Sequence, residues 1–293
     1  MLRAGAGYGR ATPQCRDTIE QAIDLRFELR NAFGALGELA RMHDLLREAD
    51  ALATSLGDSR RIGQVSAHLA FYFVSTGQPD RGVEAGQRAL TMAMELGDLG
   101  LDVLASVRLG QAYVNLGDYR RALESFSRNA GTVQGARIHE RFSLPFIASV
   151  YIQASMADCL RALGDFTAAK MNAEKAVEIA EVAGHELSLV TAYRSLGMVH
   201  LSRGDFDQAV RWLEPGLDRC REGRLPLFFA LLATEVGRAY VHAARIREAL
   251  VVLQQGVDQS SSIQMMAIRI PGVAYLAEAH LRAGELADAL RCG

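Results

Sequence analysis

Seven histidines are the residues of this sequence best suited to metal binding or acid–base catalysis. A helical metal site needs two histidines a few residues apart, as in HxxxH or HExxH, so that both imidazoles lie on one helix face. No such pair occurs, because the histidines are far apart in the chain: His43, His68, His139, His185, His200, His242 and His280. We therefore expect no metal site and no cofactor.

Nucleophilic and phosphate-binding motifs are also missing. The serines lack a nucleophile elbow, and the sequence has no GxxxxGK[ST] loop. The four cysteines (Cys15, Cys159, Cys220 and Cys292) form no CxxC pair, which is typical of reduced thiols in a cytoplasmic protein. The sequence therefore predicts a cytoplasmic protein that is not an enzyme.

The charge distribution disfavours two classes of partner. The chain has 32 basic and 34 acidic residues, a net charge of −2, and no basic cluster that would attract nucleic acid or anionic lipid. No apolar run reaches the ~18 residues needed to span a bilayer. The first residues lack the apolar segment of a signal peptide, and we expect residues 1–16 to form a disordered tail.

The strongest pattern is an internal repeat marked by a glycine and an acidic residue. Gly117-Asp118-Tyr119, Gly164-Asp165-Phe166 and Gly204-Asp205-Phe206 share this signature, and each is followed by alanine at the same offset. The same frame gives seven hinges, at positions 37, 77, 117, 164, 204, 244 and 284. The period is therefore 40 residues, with one insertion of seven residues between the third and fourth copies.

Apolar and small residues recur on both sides of each hinge at helical spacing. A pair such as Leu109-Gly110 or Leu196-Gly197 lies eight and seven residues before the hinge, and a larger side chain lies four before it. The hinge glycine is expected to end one helix at positive φ, and the following acidic residue to cap the next. Asp98, outside this frame, is expected to be a loop residue.

Each 40-residue unit accommodates two helices of about 16 to 19 residues with short turns and leaves no room for strands. We therefore predict an all-α fold over residues 17–293, an α-α superhelix of six helical hairpins and a partial seventh. Pro79, Pro145 and Pro226 are expected at helix starts, whereas Pro215 and Pro271 fall inside predicted helices.

These residues carry a family resemblance. Over nearly the whole chain, the repeat pattern resembles the tetratricopeptide repeat (TPR). The resemblance is carried by the Leu-Gly pair, the aromatic residue, Gly-Asp-Tyr/Phe and the alanines that follow. The segments 21–32 and 109–113 also resemble the carboxy-terminal repeat region of bacterial signalling proteins that join nucleotide-cyclase and ATPase domains to such repeats. Neither domain is present here, so the resemblance implies a regulatory arm and carries no enzymatic activity.

The predicted binding surface is the concave face, which the first helices of successive units line. Fixed offsets before each hinge place there Arg108, Gln111, Asn115, Tyr151, Asp158, Arg161, Arg194, Met198, Glu235, Arg238, His242, Glu278 and Arg282. Chaperone-binding relatives hold a carboxylate with a Lys and an Asn four residues apart. Val107 and Gln111 occupy those positions here, so that clamp is not expected.

Three functions remain open at this stage. The first is a scaffold that binds a protein or peptide in the groove, with Arg108, Arg161, Arg194 and Arg238 forming a ladder for an acidic segment. Alternatively, Asp158, Glu235 and Glu278 pair with these arginines and the face is simply solvated. The second function is homodimerisation through the uncapped last repeat. The third is a small-molecule sensor, which requires a closed apolar pocket.

Overall fold

The computed structural model describes residues 13–36, 38–263 and 266–292, and these ranges contain fourteen α-helices, one 3-10 helix and no strand. The helices are α1 (Pro13–Leu36), α2 (Leu39–Leu56), α3 (Ser59–Ser75), α4 (Pro79–Leu96), α5 (Leu99–Asn115), α6 (Tyr119–Ser127), α7 (Ala148–Ala162), α8 (Phe166–Ala183), α9 (Glu186–Arg203), α10 (Phe206–Glu222), α11 (Pro226–His242), α12 (Ile246–Ser262), α13 (Met266–Ala283) and α14 (Leu286–Arg291). Consecutive helices pair into six hairpins and a partial seventh, which confirms the predicted all-α superhelix.

The hinges lie where the repeat places them, and their backbones are left-handed. The φ angles are 76° at Gly77, 75° at Gly117, 88° at Gly164, 82° at Gly204, 61° at Ala244 and 82° at Gly284. Gly37 lies outside the described residues. A left-handed residue lets the chain leave one helix and enter the next after a single turn, so the hinge glycines set the 40-residue period.

The expected helix caps are present in part. Asp118 and Asp165 each accept a hydrogen bond from the amide three residues on, at 3.1 and 3.0 Å. Asp205 makes no such bond, because its carboxylate instead faces Arg203 and His200. Asp98 lies outside any helix, between α4 and α5, as expected, and it also caps α5 by accepting a hydrogen bond from the amide of Leu101 at 3.0 Å.

Small residues before the hinge allow the two helices of a unit to approach closely. A Cβ added at Gly197 would come within 2.6 Å of Leu213, and one added at Gly237 within 2.3 Å of Leu253. Both leucines lie nine residues after the hinge of the same unit. The glycine of the Leu-Gly pair is therefore required by the close approach of the second helix.

The third unit departs from the regular pattern. Its second helix, α6, has only nine residues instead of the expected 16 to 19. The chain then turns, because Asn129 is buried and donates hydrogen bonds to Asp102 and Ser106 of α5, at 2.6 and 3.2 Å. The inserted residues thus lie between α6 and α7, with the 3-10 helix Gly135–Arg137 among them.

Two predicted boundaries also shift. The first helix begins at Pro13, so the helical region starts four residues before the expected limit at residue 17. The rest of the predicted tail, residues 1–12, lies outside the described residues. Pro145 precedes the start of α7 at Ala148, whereas Pro79 and Pro226 begin α4 and α11 as predicted.

The superhelix winds far enough to bring its first unit against its sixth. From α3 to α13, the first helices of neighbouring units contact one another along the inner face of the array, and α1 contacts α11. This contact closes one side of the inner face and converts part of an open groove into a central cavity. None of the helices in the described ranges is long and apolar enough to cross a membrane.

Candidate functional site

The inner face contains a cavity of about 200 Å³. Its lining comes from the first helices of six units (α1, α3, α5, α7, α9 and α11) and from the loop before α7. A single water needs roughly 10–15 Å³ of the same kind of volume, so the cavity has room for a group of many atoms. It therefore has the size and the central position of a ligand site.

Most of the cavity wall is apolar. Phe71 of α3, Phe146 of the loop before α7 and Phe228 of α11 provide aromatic surface. Leu187, Leu227 and Leu231 complete the apolar part of the wall. An apolar wall built by helices that are distant in sequence favours a ligand with an apolar body.

A chain of hydrogen bonds joins the polar residues of the cavity. Arg108 donates from Nη1 to the Oε1 of Gln111 at 3.0 Å, and Gln111 donates from Nε2 to the hydroxyl of Tyr151 at 2.5 Å. The Tyr151 ring stacks on Phe146 with centroids 4.0 Å apart. Three predicted groove residues are therefore held in one fixed arrangement, and Asn115 donates to the carbonyl of Gln111 beside it at 2.9 Å.

Two arginines of the cavity wall are almost completely buried. Arg30 and Arg108 are each 2% exposed. The Arg108 guanidinium lies 4.6 Å from the centroid of the Phe71 ring, and Arg30 donates a hydrogen bond to Asn31. Burial lowers the pKa of Arg108 to about 10; burial and the charge of Arg108 together lower the pKa of Arg30 well below its usual range.

Arg194, a third arginine on the inner face, has a different environment. It donates to Asp158 of α7 at 3.0 Å and to Glu235 of α11 at 2.7 Å. Burial alone would lower the pKa of Arg194, but the charges and hydrogen bonds of the two carboxylates outweigh it and raise the pKa. Arg194 is thus part of an ion-paired bridge across three units.

The remaining predicted residues are dispersed along the inner face. Arg161 donates to the hydroxyl of Ser202 at 3.2 Å, and Arg238 lies 5.4 Å from the ring centroid of Tyr275. The ring of His242 stacks on Phe206. Met198 is buried in the core, and Glu278 pairs with Arg282 on α13. Of the four predicted ladder arginines, Arg161 and Arg194 therefore share Asp158 as an ion-pair partner, whereas Arg108 and Arg238 lie against aromatic rings.

Sequence reasoning missed Arg30, Asn31 and the apolar residues from α11. Their place in the cavity depends on the contact between α1 and α11, which no local pattern encodes. One signal was present: the position seven before each hinge is Gly or Ala in six units, but in the first unit it is Arg30. A large charged residue at a close-packing position marks a site that departs from the repeat.

The last hinge holds three potential metal ligands. His280, Glu285 and Asp288 have ligand atoms within 4.8 Å of one another. His280 and Glu285 are hydrogen-bonded at 2.7 Å, and Asp288 pairs with Arg291. These pairings account for the cluster as a partly exposed ion-pair group.

The fold and its inner cavity define a helical-hairpin solenoid with a ligand-sized site on the concave side. Models of the tetratricopeptide repeat match residues 105–128, 146–222 and 272–292. Together with the hinges and the close-packed glycines, these matches show that the chain contains tetratricopeptide repeats. A search of curated proteins gave no significant match.

Several solved structures share the fold. A Rap protein complexed with competence and sporulation factor aligns with a TM-score of 0.72 at 15% identity, over 95% of this chain and 76% of that chain. NprR in complex with its cognate peptide NprX aligns with a TM-score of 0.67 at 13% identity, over 94% and 76%. A signal transduction ATPase (STAND) from Pyrococcus horikoshii, with a tetratricopeptide repeat sensor, aligns with a TM-score of 0.61 at 12% identity, over 95% and 42%.

Proposed function

We propose that this chain is a non-catalytic binding domain whose central cavity receives a segment of a peptide or protein. The observation that carries the proposal is the cavity itself, a site about 200 Å³ in size with an apolar wall and a fixed set of polar groups. The fold is shared with a Rap protein and with NprR, whose structures contain competence and sporulation factor and the peptide NprX, respectively. These likenesses support a peptide as the first class of ligand to test.

The test uses a cavity-filling variant. Leu231 lines the cavity, and Leu231→Trp would occupy part of its volume. Peptides selected from a random library on the wild-type chain should bind the Leu231→Trp variant about tenfold or more weakly, which corresponds to roughly 1.4 kcal/mol. Met171 on the outer helix α8 is 65% exposed, so Met171→Trp is the matched control and should bind normally.

The outcomes separate the cavity from other surfaces. Equal binding by the wild type and Leu231→Trp, measured by fluorescence polarisation with both variants folded, would place the ligand elsewhere on the array. Failure of the library to yield any peptide that depends on Leu231 would count against the peptide proposal as well.

A second candidate is a small-molecule sensor, and the contact between α1 and α11 favours it. That contact encloses part of the inner face and creates a pocket in place of an open groove.

We also propose a regulatory role within a larger signalling protein, supported by the shared fold of the STAND protein with a repeat sensor. We expect that ligand binding to this chain changes the activity of a domain joined to it, which an activity assay with and without the ligand would measure.

A third candidate is pairing of two copies through the last unit, as the sequence suggested. Leu286 and Leu290 of α14 are 60% and 73% exposed. If they form an interface, sedimentation at micromolar concentration should show a dimer, and Leu290→Glu should convert it to a monomer. A monomeric wild-type chain would exclude this candidate.

A further inference from the structure

The two buried arginines of the cavity lack a carboxylate partner. In the described ranges, neither Arg30 nor Arg108 has an acidic side chain within ion-pairing distance, and the Nε of each is buried without a hydrogen-bond acceptor. The charge of Glu28, two residues earlier on α1, offsets only part of the effect of burial on the pKa of Arg30. The residues outside the described ranges include no Asp or Glu. No acidic side chain of this sequence is therefore left to neutralise the pair.

This arrangement is unusual because burying an unpaired charge is costly. The same chain shows the usual solution at Arg194, which has a carboxylate on each side from the neighbouring units. The first three units instead place Arg30, His68 and Arg108 close together without any acid, and both ring nitrogens of His68 are buried without a partner among the described residues. A local excess of positive charge thus lies at the wall of an apolar cavity.

The remaining hydrogen-bond donors of the arginines suit an anion. Arg108 uses one Nη for Gln111, and Arg30 uses one Nη for Asn31. Gln111 is itself held by Tyr151, so the orientation of Arg108 is fixed from two sides, by Gln111 and by the ring of Phe71. Guanidinium groups with free N–H bonds and fixed planes match the geometry of a carboxylate.

We propose that the cavity recognises a carboxylate carried on an apolar group, with Arg30 and Arg108 binding the carboxylate and Phe146, Leu227 and Phe228 contacting the apolar part. The inference rests on the proposed use of the cavity as the binding site and names the chemistry of its ligand. Two sources offer this chemistry, the free carboxyl terminus of an apolar peptide and a free aliphatic acid. Each would supply the negative charge that the two arginines lack.

The experiment compares acids with their uncharged amides by isothermal titration calorimetry on the full chain. The peptide probes are N-acetylated pentapeptides of leucine and phenylalanine, each made with a free and with an amidated carboxyl terminus. The small-molecule probes are octanoate and octanamide. Because hydrogen bonds to a charged group are stronger than those to a neutral amide, at least one acid should bind about tenfold or more tightly than its amide.

Variants assign the preference to the arginines. Arg108→Met and Arg30→Met should each reduce the acid-to-amide ratio to about twofold or less. Arg120 is exposed on α6 of the same unit as Arg108, so Arg120→Met should keep the ratio. Acid preference of the peptide alone identifies a chain terminus as the source, and acid preference of octanoate identifies a small acid; both results support the inference.

A structural role for the arginines predicts different results. If Arg30 and Arg108 only support the fold, the Met variants should lose as much thermal stability as Arg194→Met, and acids and amides should bind equally. Either result overturns the inference. A third result separates this inference from the proposed function. If acids and amides bind equally but both bind Leu231→Trp more weakly, the carboxylate inference is overturned and the proposed function remains in place.

Discussion

The guanidinium of Arg194 on α9 lies 2.7 Å from the carboxylate of Glu235 on α11, and this pair ties two units together on the inner face. Glu235 is 8% exposed, and burial raises its pKa although Arg194 opposes the shift. The sequence-based ladder hypothesis placed Arg194 on a surface open to a ligand. The structure instead makes Arg194 an internal link, because Asp158 and Glu235 occupy its donors.

Replacing Arg194 should therefore destabilise the fold. Arg194→Met leaves Glu235 and Asp158 without their partner; because the side chains of Arg194 and Asp158 are 22% and 24% exposed, the loss should be ~1–3 kcal/mol, less than for a fully buried pair. Urea unfolding followed by far-ultraviolet circular dichroism would measure the loss. Arg120→Met, at an exposed position, should change the free energy of unfolding by no more than ~0.5 kcal/mol. Equal stability of both variants would contradict the structural role of Arg194.

The hinge residues should respond to substitution according to their φ angles. Gly117 and Gly204 have φ of 75° and 82°, a region that β-branched residues rarely adopt. Gly117→Val and Gly204→Val should each reduce the free energy of unfolding by ~1–3 kcal/mol. Thermal unfolding of both variants at one concentration would measure this effect.

Ala244 allows the reverse substitution, from a residue with a Cβ to glycine, at an equivalent hinge position. It occupies the same hinge position with φ of 61°, although it carries a Cβ. Ala244→Gly should stabilise the protein by about 1 kcal/mol, because glycine adopts this conformation without the steric cost that other residues incur there. A lower melting temperature for Ala244→Gly would show that backbone strain does not govern this hinge.

The repeat frame was predictable from the sequence because each hinge is a local event. Gly117 and Gly204 need only their own φ angle and the helix that follows them, and these features recur every 40 residues. The capping role of Asp98 was missed because its turn is the second one in the unit, between α4 and α5. Local signals of this kind account for the order and lengths of most helices.

The cavity was not predictable in the same way. It depends on the contact between α1 and α11, which results from small rotations accumulated over five units. Offsets from the hinge did nominate Arg108, Gln111 and Tyr151, which the structure joins by hydrogen bonds. They could not indicate that Arg30 lines the same cavity as Phe228, since that proximity exists only in the assembled superhelix.

The buried imidazole of His68 should make stability depend on pH. Burial and the nearby charges of Arg30 and Arg108 lower the pKa of His68 well below its usual value of 6.5. The folded protein therefore keeps His68 neutral where the unfolded chain protonates it. As pH falls below about 6.5, His68 should reduce the free energy of unfolding by up to ~1.4 kcal/mol per pH unit, until the folded pKa is reached.

The variant His68→Leu tests this dependence. It removes a buried group that has no hydrogen-bond partner among the described residues, so it should cost little at pH 7.5. Urea unfolding between pH 7.5 and 5 should then show a smaller loss of stability than in the wild type. His139 is exposed, and His139→Gln controls for the removal of a histidine. Identical pH profiles for the wild type and His68→Leu would contradict the prediction.

The close approach of helices at Gly237 gives the last prediction. A Cβ at this position would lie 2.3 Å from Leu253, far inside normal contact distance, so Gly237→Ala must displace α12 or force Leu253 into another rotamer. Alanine gains ~1 kcal/mol of helix propensity over glycine, but overpacking costs ~1–3 kcal/mol, so the variant should lose up to ~2 kcal/mol of stability. Gly34 on α1 is the matched control. A Cβ at Gly34 would lie 3.7 Å from its nearest neighbour, so Gly34→Ala should be neutral or stabilising.

The double variant Gly237→Ala/Leu253→Ala also removes the clashing side chain and should therefore abolish the overpacking cost. A double-mutant cycle would measure this effect as coupling between the two positions. Strictly additive effects would mean that the two helices can separate at this point without losing other contacts.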